Sequence, residues 1–233
     1  MTVAIIGGTG DEGFGLAVRL GRAGVPILIG SRAEDRGRSA AAKAREVAGA
    51  DAPIDGTSNE AATAASDVVL VTVPFAGQAE IYRSIKDAVR PGAVVCDATS
   101  PLASAIGRPA WQVLTPWEGS AAEQAKAILP AHARMVAGFH TISAELLHDF
   151  GQPMHGSVLL CGADAEAKAA IGGLVEQIPD LEWIDVGPLS MARIIERLTA
   201  VMISVNRVYG IRDAGVVLTG RESWGRPPER GRG

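Results

Sequence analysis

The sequence predicts an α/β protein built on a doubly wound, mostly parallel β-sheet, with a smaller C-terminal helical portion. Short runs rich in Val, Ile and Leu recur along the chain, and helix-forming stretches lie between them. The runs are continuously apolar rather than alternating, which is typical of strands covered by helices on both faces. A glycine-rich segment follows the first run directly and precedes a helix-forming stretch.

The apolar runs place the strands, and the segments between them place the helices. The predicted strands are, in chain order, VAIIG, PILIG, VVLVTV, AVVCD, RMVAGF, SVLLC and LEWIDV. The predicted helices cover residues 12–22, 35–47, 76–89 and 120–129, and a long amphipathic helix covers MARIIERLTAVMISVNRVYGI. Because strands and helices alternate, each connection can cross over in the right-handed sense.

The chain divides into three predicted parts. Residues 1–140 hold the first five predicted strands and are expected to form a dinucleotide-binding core. Residues 141–220 form a smaller C-terminal portion that includes the long helix, whose apolar stripe packs in the core or against a partner subunit. Residues 221–233 are dominated by Gly, Pro and Arg, so this tail is predicted to be disordered.

The amino-acid composition limits the functions that the protein can have. Of 233 residues, 47% are hydrophobic and 21% are charged, and the formal net charge is -4. This charge gives no basic field for nucleic acid or for an anionic membrane surface. Cys96 and Cys161 lie inside apolar runs, as buried thiols in a reducing compartment do. The start has no export-signal pattern and no apolar run is long enough to cross a bilayer, so we expect a cytoplasmic protein.

The segment Gly8-Thr9-Gly10-Asp11-Glu12-Gly13 satisfies the pattern G-x-G-x-x-G between a predicted strand and a predicted helix. In this context the early glycines permit a tight turn and let a diphosphate approach bare backbone. The last glycine lets the helix pack closely on the strand. The helix N-terminus then faces the phosphates. The pattern therefore predicts a Rossmann-type dinucleotide site that contains Gly8, Thr9, Gly10, Asp11, Glu12 and Gly13.

The end of the second strand selects the dinucleotide. An NAD enzyme typically places an acidic side chain there to hold the ribose hydroxyls, but this chain reads ILIGSRAEDR. Ser31 and Arg32 occupy the place of the carboxylate, and Arg36 follows one helical turn later. A hydroxyl and two guanidinium groups suit the 2′-phosphate of NADP through charge-assisted hydrogen bonds. We therefore predict NADP(H) rather than NAD as the cofactor.

Two further segments end at the same predicted sheet edge. Val73, Pro74 and Phe75 follow a strand in VTVPF and are candidates for the wall of the cofactor site, or for a simple strand-to-helix turn. His140 follows another strand in FHTIS, where it is either a substrate contact or a packed histidine. The four histidines have no metal-ligand spacing, so no metal site is predicted.

Tyr82 and Lys86 match the Y-x-x-x-K pair of short-chain dehydrogenases, but they come one strand too early in the chain. We expect them on an ordinary helix surface. No G-x-S-x-G segment and no Ser/His/Asp set is present, and no catalytic acid or base is predicted.

Taken together, these segments resemble the NADPH-dependent reductases of coenzyme F420, a deazaflavin. The resemblance covers about residues 1–220. It rests on GGTGDEGFGLA, GSR, VTVPF, GSAAEQAKAILP, FHTIS, DVGPLS and RIIERLTAVMISVNRVYGIRDAG. The ordered set is far more specific than the glycine pattern alone.

The resemblance implies a cleft between the core and the C-terminal portion, in which hydride passes between nicotinamide C4 and deazaflavin C5. It places the glycine segment, Ser31, Arg32 and Arg36 at NADP. It places His140, Ile142, Arg193 and Thr199 near the deazaflavin or near an adjoining homodimer interface. We expect Arg193 or His140 to stabilise the negative charge that develops on the deazaflavin.

Two other functions fit the same residues. The first is NADPH-dependent reduction of a small imine or carbonyl compound, because related Rossmann proteins use the same cleft for such substrates. The second is a non-catalytic sensor that binds NADP(H), which the missing acid–base pair permits. Hydride exchange between two bound cofactors also needs no strong acid or base, since the cofactors supply the reactivity.

Overall fold

A computed structural model describes residues 1–220 and 224. Its centre is one eight-stranded sheet. The strands are β1 (Val3–Ile6), β2 (Ile27–Ser31), β3 (Ile54–Ser58), β4 (Val68–Val71), β5 (Val94–Asp97), β6 (Arg134–Ala137), β7 (Gly156–Gly162) and β8 (Leu181–Asp185). They lie in the order β3-β2-β1-β4-β5-β6-β7-β8.

The pairing of the strands confirms the predicted fold class. Strands β1 to β6 pair in parallel, β7 pairs antiparallel with β6, and β8 pairs in parallel with β7. The order of the first six strands is that of dinucleotide-binding Rossmann folds. Because β1, β4 and β5 are covered on both faces, all of their residues are buried, which explains the unbroken apolar runs in the sequence.

Eight helices of the described part cover the sheet. They are α1 (Asp11–Arg22), α2 (Glu34–Ala48), α3 (Asn59–Ala65), α4 (Phe75–Ile85), α5 (Ala121–Ile128), α6 (Ala144–His148), α7 (Ala165–Val175) and α8 (Ala192–Tyr209). Helices α1, α2 and α7 contribute to the core on one face, and α4, α5 and α8 contribute to the core on the other. Every helix among the described residues is too short or too polar to cross a lipid bilayer.

The structure differs from the sequence expectation at several elements. Helices α3, α6 and α7 were not predicted. Strand β3 was not predicted. The helix predicted for residues 76–89 ends at Ile85 and continues only as a 3₁₀ turn, Lys86–Ala88. The two strands predicted within the C-terminal portion, SVLLC and LEWIDV, form β7 and β8 of the same sheet, so this portion is not purely helical. Of the tail predicted to be disordered, residues 221–223 and 225–233 lie outside the described residues.

A buried arginine of α1 fastens the C-terminal portion to the core. The Arg19 guanidinium donates hydrogen bonds to the carbonyl oxygens of Leu147 at 2.9 Å, Leu146 at 2.6 Å, Asp149 at 2.7 Å and Gln152 at 3.1 Å. Since these carbonyls end α6 and begin the next loop, one side chain satisfies the last turn of that helix. The contact fixes α6 beside α1, next to the carboxyl edge of the sheet.

Candidate functional site

The glycine-rich turn between β1 and α1 contains glycines of two kinds. A Cβ on Gly8 would lie 2.8 Å from Ile29 Cγ2, and one on Gly13 would lie 2.5 Å from Thr72 Oγ1, so the fold itself needs both glycines. A Cβ on Gly10 would meet only the Gly7 carbonyl oxygen, at 3.4 Å. Packing therefore does not require a glycine at position 10, and its bare backbone is left open to a ligand.

The N-terminus of α1 is itself open. Gly10 is the N-cap of the helix, and no side chain caps it. The first amides of a helix have no partner within the helix, and the helix dipole adds positive potential beside them. This end of α1 is therefore suited to a phosphate group, as the sequence predicts.

The residues predicted to select the cofactor lie beside this turn. Ser31 is the last residue of β2, which pairs with β1 so that Ile6 lies opposite Gly30. Arg32 and Arg36 are exposed, and neither forms an ion pair with another described residue. Two cations without ion pairs in the described part of the chain thus follow the end of β2, the strand that neighbours β1 and its glycine turn, and they are free to bind an additional phosphate.

A cavity of about 550 Å³ continues from the glycine turn across the carboxyl edge of the sheet. Segments from the ends of β1, β4, β5 and β6 line it, and α8 closes the far side. Among the residues predicted for the site, the lining includes Gly10, Asp11, Glu12, Val73, Pro74, His140, Ile142 and Thr199. The other predicted residues do not line it: Gly8, Thr9, Gly13, Ser31, Arg32, Arg36, Phe75 and Arg193.

Another concavity, of about 560 Å³, lies beside α6. Its lining includes the exposed charged residues Glu145, Asp149, Arg212 and Asp213. Within the described part of the chain, no buried polar atom without a partner lies on it, whereas the cavity at the sheet edge contains such a residue. We therefore take the cavity at the sheet edge as the candidate site.

That residue is His140. Its side chain is 6% exposed, and neither ring nitrogen has a hydrogen-bond partner among the described residues. Burial lowers the pKa of His140 to about 4, and the backbone of Thr99 only partly opposes this effect. The ring is therefore neutral at pH 7. It cannot supply the positive charge that we expected of it, but it offers one donor and one acceptor to a ligand.

The backbone around His140 is held from both sides. Phe139, directly before it, has φ of 71°, an uncommon conformation for a bulky residue. The Thr199 hydroxyl on α8 donates to the His140 carbonyl oxygen at 2.8 Å, and it lies 2.6 Å from the Ser100 hydroxyl. These contacts bring His140, Ile142 and Thr199 together at one end of the cavity.

Arg193 lies elsewhere. It is in the first turn of α8 and forms a two-pronged ion pair with Glu123, at 2.7 Å and 2.9 Å. It also donates to the Glu118 carbonyl oxygen at 3.2 Å. Since its charge is already paired and it does not line the cavity, the structure gives Arg193 no contact with the site around His140.

Behind the cavity lies a buried polar network that the sequence did not reveal. The Asp97 carboxylate, at the end of β5, accepts hydrogen bonds from Gln78 at 2.8 Å, Tyr82 at 3.0 Å and Thr99 at 2.8 Å. Burial raises the pKa of Asp97 to about 7, although these donors oppose the rise. Tyr82 is fully buried, so its predicted place on a helix surface is wrong. The one available signal was an aspartate ending an apolar strand.

Comparison with known proteins identifies the family. Residues 2–101 match the family model described as NADP oxidoreductase, coenzyme F420-dependent. The F420-dependent NADP reductase of Methanothermobacter thermautotrophicus is 40% identical over 221 residues, which cover 94% of this chain and 95% of that one. The enzyme of the same name from Methanocaldococcus jannaschii is 36% identical over 225 residues, which cover 95% of this chain and 100% of that one.

Solved structures share the fold. A protein of Arthrobacter sp. FB24, proposed to be an F420-dependent NADP reductase, superposes with a TM-score of 0.79 at 23% identity, over 94% of this chain and 99% of that one. A reductive aminase of Aspergillus terreus in complex with NADPH superposes with a TM-score of 0.59 at 16% identity, over 90% of this chain and 63% of that one. The resemblance inferred from the motifs is confirmed: the chain belongs to the family of coenzyme F420-dependent NADP oxidoreductases.

Proposed function

We propose that this protein transfers a hydride between NADP(H) and the deazaflavin coenzyme F420. One observation carries the proposal: an open phosphate-binding turn at Gly10 continues into a cavity of about 550 Å³ that contains the unpartnered His140. A dinucleotide whose phosphates lie on the turn can extend its nicotinamide into the cavity. The likeness to relatives named F420-dependent NADP reductase supplies the second cofactor.

The turn and the end of β2 are proposed to hold NADP(H). Gly8, Gly10 and Gly13 shape the turn, and the backbone of Thr9, Asp11 and Glu12 faces the diphosphate. Ser31, Arg32 and Arg36 bind the 2′-phosphate through charge-assisted hydrogen bonds. Val73 and Pro74 form the wall toward the nicotinamide. Phe75, the first residue of α4, follows this wall directly in the chain and does not line the cavity.

The other end of the cavity is proposed to receive the deazaflavin. Ile142, Met202 and Ile203 give it an apolar surface on which a planar ring can stack. The neutral imidazole of His140 and the hydroxyl of Thr199 supply polar contacts there. When both cofactors are bound, they bring the redox chemistry. The protein holds the rings close and excludes water, so no acid–base pair is required.

The C-terminal portion, residues 141–220, is proposed to complete this cleft and to form a homodimer through α8. One face of α8 lines the cavity, and another exposes Ile194 by 56%, Val201 by 49% and Val208 by 71%. These residues repeat every seven positions, the spacing of a helix that packs against a second helix. Replacing Val201 with Glu should convert a dimer into a monomer in light-scattering measurements. A wild-type monomer would contradict the proposal.

A cytoplasmic location is also proposed. Cys96 and Cys161 are both free and buried, which suits a reducing compartment.

A spectrophotometric assay tests the function. The purified protein is mixed with F420 and either NADPH or NADH, and absorbance of both cofactors is followed. We expect F420 reduction in step with NADPH oxidation, and much slower reduction with NADH. The fold likeness to the reductive aminase makes a cyclic imine the informative alternative substrate. Imine turnover without F420 reduction, or NADPH binding without turnover of either compound, would contradict the proposal.

A further inference from the structure

We propose that Glu12 is a proton-holding ligand of the dinucleotide. Its neutral carboxyl group donates a hydrogen bond to an acceptor oxygen of NADP(H), so cofactor binding is coupled to protonation of this side chain. The inference rests on the proposed function, because it concerns the same cavity. It also explains how an acidic residue can lie in a turn that binds phosphates.

Glu12 lies where a bound dinucleotide can reach its carboxyl group. Glu12 is the second residue of α1, beside the open N-terminus, and it lines the cavity. It is partly buried, and its carboxyl group has no hydrogen bond or ion pair with any residue of the described chain. An ionised carboxylate there would meet phosphates without an ion-pair partner among the described residues, which is unfavourable at close range. A neutral carboxyl group avoids this repulsion and gains a donor.

Asp97 decides which carboxyl group carries the proton. Asp97 accepts three hydrogen bonds, from Gln78, Tyr82 and Thr99, and these donors favour its ionised form. Glu12 has no such donors. A proton held by the pair therefore belongs on Glu12, next to the cavity, and the negative charge belongs on Asp97. Burial and the charge of Asp97 together raise the pKa of Glu12 to about 8.

His140 gives independent support for a polar ligand in this cavity. Its ring is 6% exposed, it lines the same cavity, and both ring nitrogens lack partners among the described residues. Buried polar atoms are rarely left unpaired, because each costs about 1–3 kcal/mol. A ligand with donors and acceptors is thus expected next to Glu12.

Other titratable or charged groups surround Glu12. Any of them that titrates near pH 8 would contribute to a measurement of how NADPH binding depends on pH. On the cavity side they are Asp11, His140, Glu145 and Arg212, and behind Glu12 they are Cys96, Asp97 and Tyr82. Burial and nearby negative charge raise the pKa values of Cys96 and Tyr82 far above the ordinary range. The pKa of His140, about 4, lies well below pH 7. Beyond Asp97, Glu196 accepts hydrogen bonds from the amides of Ala121 and Ala122, does not line the cavity, and has its pKa raised by burial to about 8. Glu12, Asp97 and Glu196 therefore all titrate between pH 7 and 9, and the Glu12→Gln variant isolates the part that belongs to Glu12.

The sign of the effect follows from linkage. If only the protonated form binds, cofactor binding raises the pKa of Glu12 above its free value of about 8. Affinity is then nearly constant below that pH and falls as the pH rises through it. A single group with this pKa gives a dissociation constant about tenfold higher at pH 9 than at pH 7.

The test measures NADPH binding to the full chain by calorimetry, without F420. At pH 8, titrations in two buffers of different ionisation enthalpy should reveal uptake of about half a proton per NADPH bound. The dissociation constant should rise about tenfold from pH 7 to pH 9. Glu12→Gln should bind NADPH at pH 7 within about threefold of the wild type and should lose the pH dependence, because the amide keeps a donor and cannot ionise. Glu80→Gln, at an exposed glutamate of α4 that does not line the cavity, is the control and should keep the wild-type slope.

The outcomes separate the two proposals. Absence of NADPH binding at every pH overturns both the proposed function and this inference. Binding that takes up no proton and has a constant affinity from pH 7 to 9 overturns the inference alone. A Glu12→Gln variant that keeps the wild-type slope also overturns the inference alone. Since the proton uptake is measured on the wild-type protein, the test stands even if the variant does not fold.

Discussion

Two glycines of the same turn should respond in opposite ways to an added methyl group. Gly10 has φ of -94° and ψ of 166°, which alanine adopts freely, and its Cβ would lie no closer than 3.4 Å to the protein. Gly10→Ala should therefore change the free energy of unfolding by less than about 1 kcal/mol. The new methyl group would, however, occupy the place where the diphosphate approaches the backbone. We expect NADPH affinity to fall at least about tenfold, or about 1.4 kcal/mol.

Gly13→Ala is the matched variant. Its Cβ would lie 2.5 Å from Thr72 Oγ1 and 2.7 Å from the Gly7 carbonyl oxygen, so α1 must move away from β4. Overpacking of this kind costs about 1–3 kcal/mol, or roughly 3–10 °C in Tm for a chain of this size. Thermal melts and calorimetry with NADPH measure both effects. If Gly10→Ala binds NADPH as tightly as the wild type, the diphosphate does not lie on this turn and the reasoning is refuted.

Three other substitutions test separate parts of the structure. Arg32→Asp should weaken NADPH binding by about 10–100-fold and leave NADH binding and Tm nearly unchanged. If the ratio of NADPH affinity to NADH affinity is unaltered, Arg32 does not contact the 2′-phosphate. Arg19→Met should lower the free energy of unfolding by roughly 2–4 kcal/mol, because it leaves backbone carbonyls unpaired. Arg38→Met, which removes an exposed ion pair, is the control and should lower the free energy of unfolding by less than about 0.5 kcal/mol. Chemical denaturation measures both values. His140→Leu should raise Tm, because it removes two buried nitrogens without hydrogen-bond partners among the described residues, and it should slow F420 reduction. A lower Tm would show that the ring nitrogens form hydrogen bonds in the folded protein.

The fold was largely predictable because the central strands are buried on both faces. A strand such as Val68–Val71 consists only of Val and Leu, and its length of four residues favours a buried strand over a buried helix. Strand β3 carries no such signal. It contains Asp55 and Gly56 and lies at the sheet edge, where the backbone of Gly56 closely approaches that of Gly37 in α2. That approach needs a residue without a side chain, and such a residue weakens the strand pattern.

The candidate site was predictable only where the chain itself carries the pattern. The glycine turn and the Ser31 and Arg32 pair belong to contiguous motifs with a known spacing. Asp97 and Tyr82 meet across two elements, and a single aspartate or tyrosine in the sequence does not reveal its burial. Arg193 lies outside the cavity for a related reason. Its position on the long helix was predictable, but its pairing with Glu123 depends on how α8 packs against α5.

Direct hydride transfer between the two cofactors is best tested by isotope transfer. The protein is given F420 and NADPH that carries deuterium at both C4 positions, and the reduced deazaflavin is analysed by mass spectrometry after a single turnover. We expect one deuterium from NADPH at C5 of the product, and none at C5 in a parallel reaction of unlabelled NADPH in D₂O. Reduced F420 that carries solvent hydrogen at C5, or no reduced F420 at all, would contradict it.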